Sequence, residues 1–397
     1  MANTLLTPTA VTRKALQILH QKLTFIGSIN RGYDDSFAKS GAKIGSDLKI
    51  RLPNQYTVRS GAALSAQDTT ESSVTLQVTT QKGVDLNFTS VDLTLSLDDF
   101  SERILDPAMS VLAASIEADA LSMYKDVYQL VDGDAAAVAF SHFMTARRYL
   151  NESLTPQDRK RTALLTPEHN AKLVDALKGL FNPQEGLSQS FREGMMGRTA
   201  GLEFGETTHL NTHTTGTALK ATTYTVNGAG QTGAAVTVAT GATTFKKGDV
   251  VTFAGCNMVH PETKADLGRL QQFVVTADYA GGAGDLPISP SIVASGATQN
   301  VSASPTNGGA VTKIGAGASE LLTNSLVFHK DAFTFATADL VMPQGVDFAA
   351  REVFDGISMR IVRAYDINND KFPCRLDVLY GYKTIRPQLA CRVHADG

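Results

Sequence analysis

The segment from Thr212 to about Gly317 most constrains the fold of this chain, because its pattern differs from that of the sequence around it. It is rich in Thr, Ala, Gly and Val, is poor in charge, and carries short alternating runs such as TTYTV, AAVTVAT and QQFVVTAD. Turn signals separate these runs at intervals that are typical of a small barrel or sandwich. We therefore predict an all-β domain, residues 213–317, inserted where the ends of a host fold lie close together.

The sequence on either side of this segment predicts a mixed host fold. Asp106, which is followed by proline, suits the start of a helix, and apolar residues then recur every three or four positions as far as Val131. This pattern predicts a strut helix of about 25 residues, about 40 Å long. Residues 135–212 are predicted to alternate helices with strands, including a helix over LSQSFREGMM, and a hairpin is predicted at 368–370.

Two N-terminal segments lack a partner nearby in the sequence. Residues 46–97 alternate apolar and polar side chains on both sides of a small, polar stretch, which predicts a long two-stranded ribbon. Before it, apolar residues from Ala15 to Leu23 fall at helical spacing. Because a lone ribbon or helix is marginal in water, we predict that the ribbon lies on a neighbouring subunit and that the helix docks elsewhere. Deletion of residues 1–30 is then expected to impair assembly and to leave the far-UV circular dichroism of the monomer largely intact.

Composition narrows the function classes. Of 397 residues, 43% are hydrophobic and only 19% are charged, which indicates a packed core and large buried contacts between subunits. The net charge of −3 gives no broad basic field for nucleic acid or for an anionic membrane. Three widely spaced cysteines favour a reducing compartment. Without a secretory h-region or an apolar run of about 20 residues, the chain is expected to be cytoplasmic and soluble when made.

One motif points to a nucleotide-binding enzyme. Gly228, Gly230 and Gly233 have the G-x-G-x-x-G spacing of a dinucleotide loop. Such a loop needs a helix after it, because the phosphate sits at the helix N-terminus. Here AAVTVAT follows, which is typical of a strand, and Asp249, at the distance of a ribose-binding acid, lies in a Lys-Lys-Gly-Asp turn. We predict a hairpin loop and keep the nucleotide-binding enzyme as an alternative.

Two Cys/His pairs have the spacing of half a zinc site. Cys256 precedes His260 by four positions, and Cys391 precedes His394 by three. No further ligand pattern accompanies either pair, so both cysteines are predicted to be small packing residues. We assign no catalytic, cofactor-binding or metal-binding residue.

The densest basic cluster of the sequence comprises Arg147, Arg148, Arg159, Lys160 and Arg161. Binding to nucleic acid would favour a wider stripe with interleaved aromatic residues. A solvated face or an intersubunit salt-bridge patch is therefore the preferred interpretation of these residues.

The order of these parts resembles the major capsid proteins of tailed bacteriophages. It is most similar to the gene-five coat protein group of short-tailed Salmonella-type phages, whose capsid fold carries an inserted domain. The phrases that carry the resemblance are TTFKKGDVVTFAGCNMV (243–259) and LQQFVVTAD (270–278) in the insert, MTARRYLNESLTP and LLTPEHNAKLVDALKGLFNP in the α/β block, and CRLDVLYGYKTIRPQLACRV at the end.

The resemblance implies an α+β capsid fold and a structural role. The implied organisation is an N-terminal arm (1–34), an extended β-ribbon (35–97), a strut helix of the peripheral domain (98–134), an axial α/β domain in two parts (135–212 and 318–357), an inserted β-barrel domain (213–317) and peripheral-domain strands (358–397). Copies would assemble into hexamers and pentamers of an icosahedral phage head, with a scaffolding protein and a portal. The head would form in the bacterial cytoplasm and enclose DNA without sequence-specific contact.

The resemblance also bears on the loop that contains the three glycines. In the group, the loop between the first inserted strands is charged and reaches a neighbouring capsomer, whereas residues 227–235 carry no charge here. Any contact by this loop must use its backbone or packing. A cellular shell protein of the same fold is a second alternative. Our candidates for intersubunit contacts are Arg51, Arg59, Arg147, Arg148, Asn227, Gly228, Gly230 and Gly233.

Overall fold

The computed structural model describes residues 8–32, 47–59, 61–64, 66–68, 71–88, 101–177, 197–210, 212–315, 317–346, 348–354, 356–367 and 371–396. The chain divides into two compact units. Unit 1 comprises Met1–Arg51, Ser73–Leu121 and Phe333–Ile385, and unit 2 comprises Leu52–Ser72, Ser122–Ala332 and Arg386–Gly397. The predicted helix over 187–196 and the hairpin signal at 368–370 lie outside the described residues.

Within the described residues the helices and strands follow one another through both units. The α-helices are α1 (Pro8–Lys22), α2 (Thr24–Ser28), α3 (Asp106–Leu121), α4 (Phe140–Glu152) and α5 (Pro167–Leu177), with a π-helical turn at Ser101–Leu105 and 3₁₀ turns at Ser122–Asp126, Lys330–Ala332 and Pro387–Leu389. The strands are β1 (Asp47–Arg51), β2 (Ser73–Gln77), β3 (Thr80–Phe88), β4 (Leu130–Ala137), β5 (Arg161–Leu165), β6 (Arg198–Thr199), β7 (Leu202–Glu206), β8 (Thr212–Thr214), β9 (Ala221–Val226), β10 (Gly233–Ala239), β11 (Val250–Val259), β12 (Asp266–Val275), β13 (Gly284–Ile292), β14 (Ala310–Lys313), β15 (Leu321–His329), β16 (Phe333–Ala338), β17 (Phe348–Phe354), β18 (Ile357–Arg363), β19 (Phe372–Thr384) and β20 (Ala390–Asp396). None of these helices has the length and apolarity that crossing a bilayer requires.

Unit 1 is an antiparallel sheet covered by helices. The long strand β19 pairs with β3 along one edge and with β16 and β18 along the other, and β17 pairs with β18. Helix α1 packs against β17, β18 and α3. The side chains of Leu16, Leu19, Phe25 and Ile26 are completely buried.

This packing corrects the prediction for the N-terminal helix. Residues 8–30 belong to the core of unit 1, because α3 and β17, far away in the sequence, supply the apolar partners that the neighbouring sequence lacks. This burial contradicts docking of the helix elsewhere, so we now expect a monomer without residues 1–30 to lose secondary structure. Such a deletion would expose the apolar surface that these helices cover.

The strut helix and the ribbon are both shorter than predicted. Helix α3 has 16 residues, about 24 Å, and gives way to a 3₁₀ turn before Val131 enters the parallel strand β4. The apolar spacing continued past Leu121 because the turn and the strand bury side chains too. Strands β1 and β2 pair over five residues each, whereas β3 joins β19 in the sheet.

Unit 2 contains an α/β sheet with the strand order β4-β20-β15-β5-β7-β6, and β8 extends the pairing of β15. Its core is built around Phe143, Leu150, Phe204 and Val327. Helices α4 and α5 alternate with strands β4 to β8, in agreement with the alternation predicted for residues 135–212. The final strand β20 inserts between β4 and β15 of this sheet. Strands β16 to β19, from Phe333 to Thr384, join unit 1, so the division of the chain differs from the predicted boundary at 357–358.

Unit 2 also contains the inserted β-domain. Strands β9 to β14 close into a barrel with the order β10-β13-β12-β11-β14-β9, around a core that includes Tyr224, Phe245, Phe253 and Phe273. Closure into a barrel agrees with the predicted all-β insert. The sequence interpretation missed β13, because two prolines within LPISP argue against a strand.

The barrel is fixed to the α/β sheet by a buried glutamine. The backbone N–H of Leu130 donates to Gln272 Oε1 at 2.8 Å, and Gln272 Nε2 donates to the Leu130 carbonyl at 2.9 Å. Tyr128, Val250 and Val274 pack around this pair. The insert therefore has a defined position on the sheet.

Candidate intersubunit contact surface

The glycine loop is a tight turn between β9 and β10. Gly228, Gly230 and Gly233 have φ angles of 117°, 68° and 97°, a region that residues with a Cβ rarely occupy. Strand β10 begins at Gly233, where a dinucleotide loop would require a helix. The spacing of the glycines thus follows from turn geometry.

A single side chain holds this loop in shape. Gln231 Nε2 donates to the carbonyls of Asn227 and Thr237 at 2.8 and 3.1 Å, and Gln231 Oε1 accepts from the Thr237 N–H at 2.6 Å. The N–H of Gly228 donates to Oδ1 of Asn307, from a neighbouring loop, at 2.8 Å. The exposed Asn227 therefore lies on an ordered, uncharged surface made of two loops.

Asp249, the acid considered for ribose binding, has a structural role. It is buried, and Oδ1 lies 2.8 Å from Nε2 of His213. Its Oδ2 accepts from the backbone N–H groups of Lys246 and Gly216 at 2.8 and 2.9 Å. These contacts hold the Lys-Lys-Gly-Asp turn in place.

Replacement of loop glycines by alanine tests the turn. A Cβ at Gly230 or Gly233 would meet no heavy atom within 4 Å. The free-energy cost of an alanine there therefore comes from its backbone conformation alone. We expect Gly230→Ala to lower the free energy of unfolding by about 1 kcal/mol, and Gly233→Ala to lower it further because its φ lies outside the left-handed helical region. Urea denaturation measures both. Thr232→Ala, in the same loop, is the control and should change stability by less than about 0.5 kcal/mol.

The basic cluster does not form one surface patch. Arg161 is buried and donates to Asn151 Oδ1 at 2.7 Å and to the carbonyls of Thr155 and Pro156. Lys160 lies 3.2 Å from the Asp158 carboxylate. Neighbouring positions in the sequence separate here because β5 begins at Arg161 and turns this side chain inward.

The arginines of α4 lie beside a contact between the sheet and the barrel. Arg269, on β12, donates to Glu152 Oε2 at 2.7 Å and stacks 4.1 Å above the ring of Tyr149. Arg148 is exposed, lies 3.3 Å from the same glutamate, and is 5.3 Å from the same ring. Arg147, half-buried on the same helix, is the side chain nearest to Gly201.

Replacing Arg269 and Arg148 one at a time should separate their contributions to the stability of the protein. Arg269→Ala is expected to cost about 1–2 kcal/mol of stability, because the cation and the carboxylate are shielded from water. Arg148→Ala removes an exposed ion pair to the same carboxylate and should cost less than about 0.5 kcal/mol. Denaturation with hydrogen exchange of α4 and β12 measures this difference. Equal effects would contradict the assignment of Arg269 as the anchor.

The ribbon tip, residues 52–59, 61–64 and 66–68, carries the most exposed apolar side chains of the described residues. Val58 is 97% exposed and Leu64 is 88% exposed, and Tyr56 is exposed beside them. The side-chain amide of Gln67 makes the two hydrogen bonds that a paired strand would make to Thr57. The Thr57 N–H donates to Gln67 Oε1 at 2.8 Å, and Gln67 Nε2 donates to the Thr57 carbonyl at 2.6 Å.

The two candidate arginines of the ribbon differ in position. Arg51 ends β1 in unit 1 and is exposed, whereas Arg59 lies within the ribbon tip, where its guanidinium donates to the carbonyl of Gly61. Only Arg59 therefore lies within the segment that carries the exposed Val58 and Leu64.

The sequence interpretation missed the buried ionisable groups. Glu117 is fully buried on α3, and burial raises the pKa of its carboxyl to about 7. Burial also lowers the pKa of the Arg392 guanidinium to about 10 and raises those of Cys256, Cys374 and Cys391 to about 12. For Glu117 the signal was present, since the carboxylate falls on the helix face that Ala113 and Ala120 bury. Among the described residues no group of three or more His, Cys, Asp or Glu side chains is placed to hold a metal ion.

Comparison with known proteins identifies the family. The family described as P22 coat protein, gene protein 5, matches residues 28–392. No curated protein matches the chain significantly.

The chain is similar to several solved structures from phages. One from Mycobacterium phage Che8 superposes with a TM-score of 0.50 at 13% identity, covering 94% of this chain and 90% of that chain. The capsid of cyanophage P-SCSP1u gives a TM-score of 0.43 at 12% identity, covering 90% and 84%. The mature capsid of bacteriophage PhiM1 gives 0.44 at 12% identity, covering 89% and 83%. The fold is that of tailed-phage capsid proteins, with an added β-domain. Because the family match spans most of its length, the chain belongs to the P22 coat protein family and is a major capsid protein.

Proposed function

We propose that copies of this chain assemble into the hexamers and pentamers of an icosahedral phage head in the bacterial cytoplasm. A scaffolding protein and a portal take part in assembly, and the head encloses DNA without sequence-specific contact. The chain acts as a structural protein and not as an enzyme. Within the shell, residues 135–212 and 318–357 lie toward the capsomer centre, and the insert, 213–317, stands on the outer face.

The observation that carries the proposal is the ribbon tip. Burial of Val58 and Leu64 would remove apolar surface from water, and the chain itself does not cover it. A head-to-tail contact in which each copy both gives and receives a tip forms a ring when the rotation between copies closes. The net charge of −3 and the burial of Arg161 favour a DNA contact without base recognition.

The uncharged loop at 227–233 suggests how capsomers meet. Its ordered backbone offers polar groups and no ion pairs, so a contact there would depend weakly on salt.

Electron microscopy of the expressed full chain tests the proposal. We expect uniform closed shells when the scaffolding protein of the same phage is co-expressed. A protein that stays monomeric at high concentration, with and without scaffold, would refute it.

A further inference from the structure

The loop over residues 153–160, here the strained loop, contains two side chains in an unfavourable backbone conformation. Leu154 has φ 57° and Arg159 has φ 68°, values that favour glycine or asparagine. Leu154 occupies the position after the C-cap of α4, where the Thr155 N–H bonds the Leu150 carbonyl at 2.9 Å. Glycine is usual at that position. Strain of this kind persists where the surroundings enforce it, and it often marks a functional surface.

The surroundings of the strained loop do enforce its shape. Arg161 lies beneath it and satisfies the carbonyls of Thr155 and Pro156. Asp158 Oδ1 lies 2.9 Å from Nε2 of the buried His329 and accepts from the Lys160 N–H at 3.3 Å. Arg159 is therefore presented by a fixed turn.

What the strained loop presents is an apolar side chain and a cation. Leu154 is 41% exposed, and Arg159 is exposed without a hydrogen bond or ion pair in the described part of the chain. A surface of this composition suits a partner that offers apolar side chains next to a carboxylate.

The ribbon tip has that composition. Its exposed Val58 and Leu64 are followed by Asp68, an exposed carboxylate without a partner among the described residues. Within one chain both surfaces stay exposed, so they do not cover each other. The two can meet only between copies.

We propose that the strained loop receives the ribbon tip of a second copy of this chain, with Leu154 against Val58 or Leu64 and Arg159 paired with Asp68. The proposal rests on the assembly proposed above and names the receiving surface for the ribbon. A heterologous contact of this kind uses different surfaces on each copy, as a ring requires.

Cross-linking of the full chain in assembled particles tests this contact. The three native cysteines are buried, so a short bismaleimide would react at introduced cysteines. The double variant Asp68→Cys/Arg159→Cys should give a ladder of covalent oligomers, and each single variant should give none. The matched control pairs Arg159→Cys with Glu262→Cys, an exposed carboxylate on the barrel.

Particles that form normally while the Asp68 pair cross-links no better than the Glu262 pair would overturn the contact and leave the proposed function standing. Absence of particles from the unmodified chain would overturn both. The two failures are thus distinguishable.

Charge exchange gives a second readout. Arg159→Asp and Asp68→Arg should each lower particle yield by about tenfold, and the combined exchange should restore most of it. Arg159→Gly relieves the strain, so it should keep or raise the unfolding temperature while lowering particle yield. If Arg159→Gly gives as many particles as the unmodified chain, the Arg159 side chain takes no part in the contact between copies.

Discussion

Replacement of Glu117 by alanine is expected to destabilise unit 1 by about 2–4 kcal/mol, because two buried N–H groups lose their acceptor. Its carboxylate accepts from the N–H groups of Phe25 and Ile26 at 3.2 and 3.1 Å and from the Thr24 hydroxyl at 3.3 Å. The residue at the N-cap of α2, Leu23, has no side chain that could do so. Glu117 thus caps α2 from another helix and ties the N-terminal residues to α3.

Hydrogen exchange and denaturation of the variant measure this effect. The amides of residues 24–30 should lose protection before those of β19. Asp106→Asn, an exposed carboxylate at the start of the same helix, is the control and should change stability by less than about 0.5 kcal/mol. Unchanged protection at 24–30 in Glu117→Ala would contradict the capping role.

The same residue should make stability depend on pH. Burial raises the pKa of Glu117 from 4.5 to about 7. Between these values the folded protein holds a proton that the unfolded chain has lost, so the free energy of unfolding decreases as the pH rises through the window. The contribution is complete below about pH 4.5 and lost above about pH 7, and it corresponds to about 3 kcal/mol.

Other charged groups on α1 and α3 have partners of their own. Lys22 pairs with Asp106 at 3.2 Å, and Asp119 pairs with Lys82 at 2.7 Å. On α1, His20 lies 3.5 Å from Arg31. Denaturation at pH 5 and pH 8 should show a smaller difference for Glu117→Gln than for the unmodified chain. An equal difference would assign the pH dependence to other groups.

Charged residues at the ribbon tip are expected to abolish assembly without unfolding the chain. Val58→Asp combined with Leu64→Asp should lower particle yield by more than about tenfold, since charge is depleted at the core of interfaces. Stability should change by less than about 0.5 kcal/mol, because both side chains are exposed in the single chain.

Particle yield and unfolding temperature, measured together, check this result. Val58→Thr paired with Leu64→Met keeps the side-chain volumes without adding charge and serves as the control. Normal particles from the double aspartate variant would show that the ribbon tip stays in water in the shell.

Local patterns were enough to predict much of this fold. Alternation identified most barrel strands, and apolar spacing identified α4 and α5, because these signals depend on neighbouring residues alone. The positive φ angles at Gly228 and Gly233 are also local, so the hairpin loop could be predicted. The boundary of α3 could not, since strand β4 buries the next apolar residues equally well.

Features that depend on distant contacts escaped prediction. The N-terminal helix was predicted to dock elsewhere because its partners, α3 and β17, lie far along the chain. Arg159 and Arg161 looked alike in the sequence, yet one is exposed and the other is buried. The role of Gln231 in the loop could not be predicted, because it depends on the hydrogen bond from the Thr237 N–H, which forms only in the folded hairpin.

The burial of the three thiols affects how fast the particle would oxidise outside the cell. Thiolate is the form that oxidises and exchanges, and burial raises the pKa of Cys256, Cys374 and Cys391 to about 12. A shell released into aerated surroundings would meet oxidants that the cytoplasm removes. With all three thiols buried inside each subunit, the shell would oxidise slowly at its cysteines.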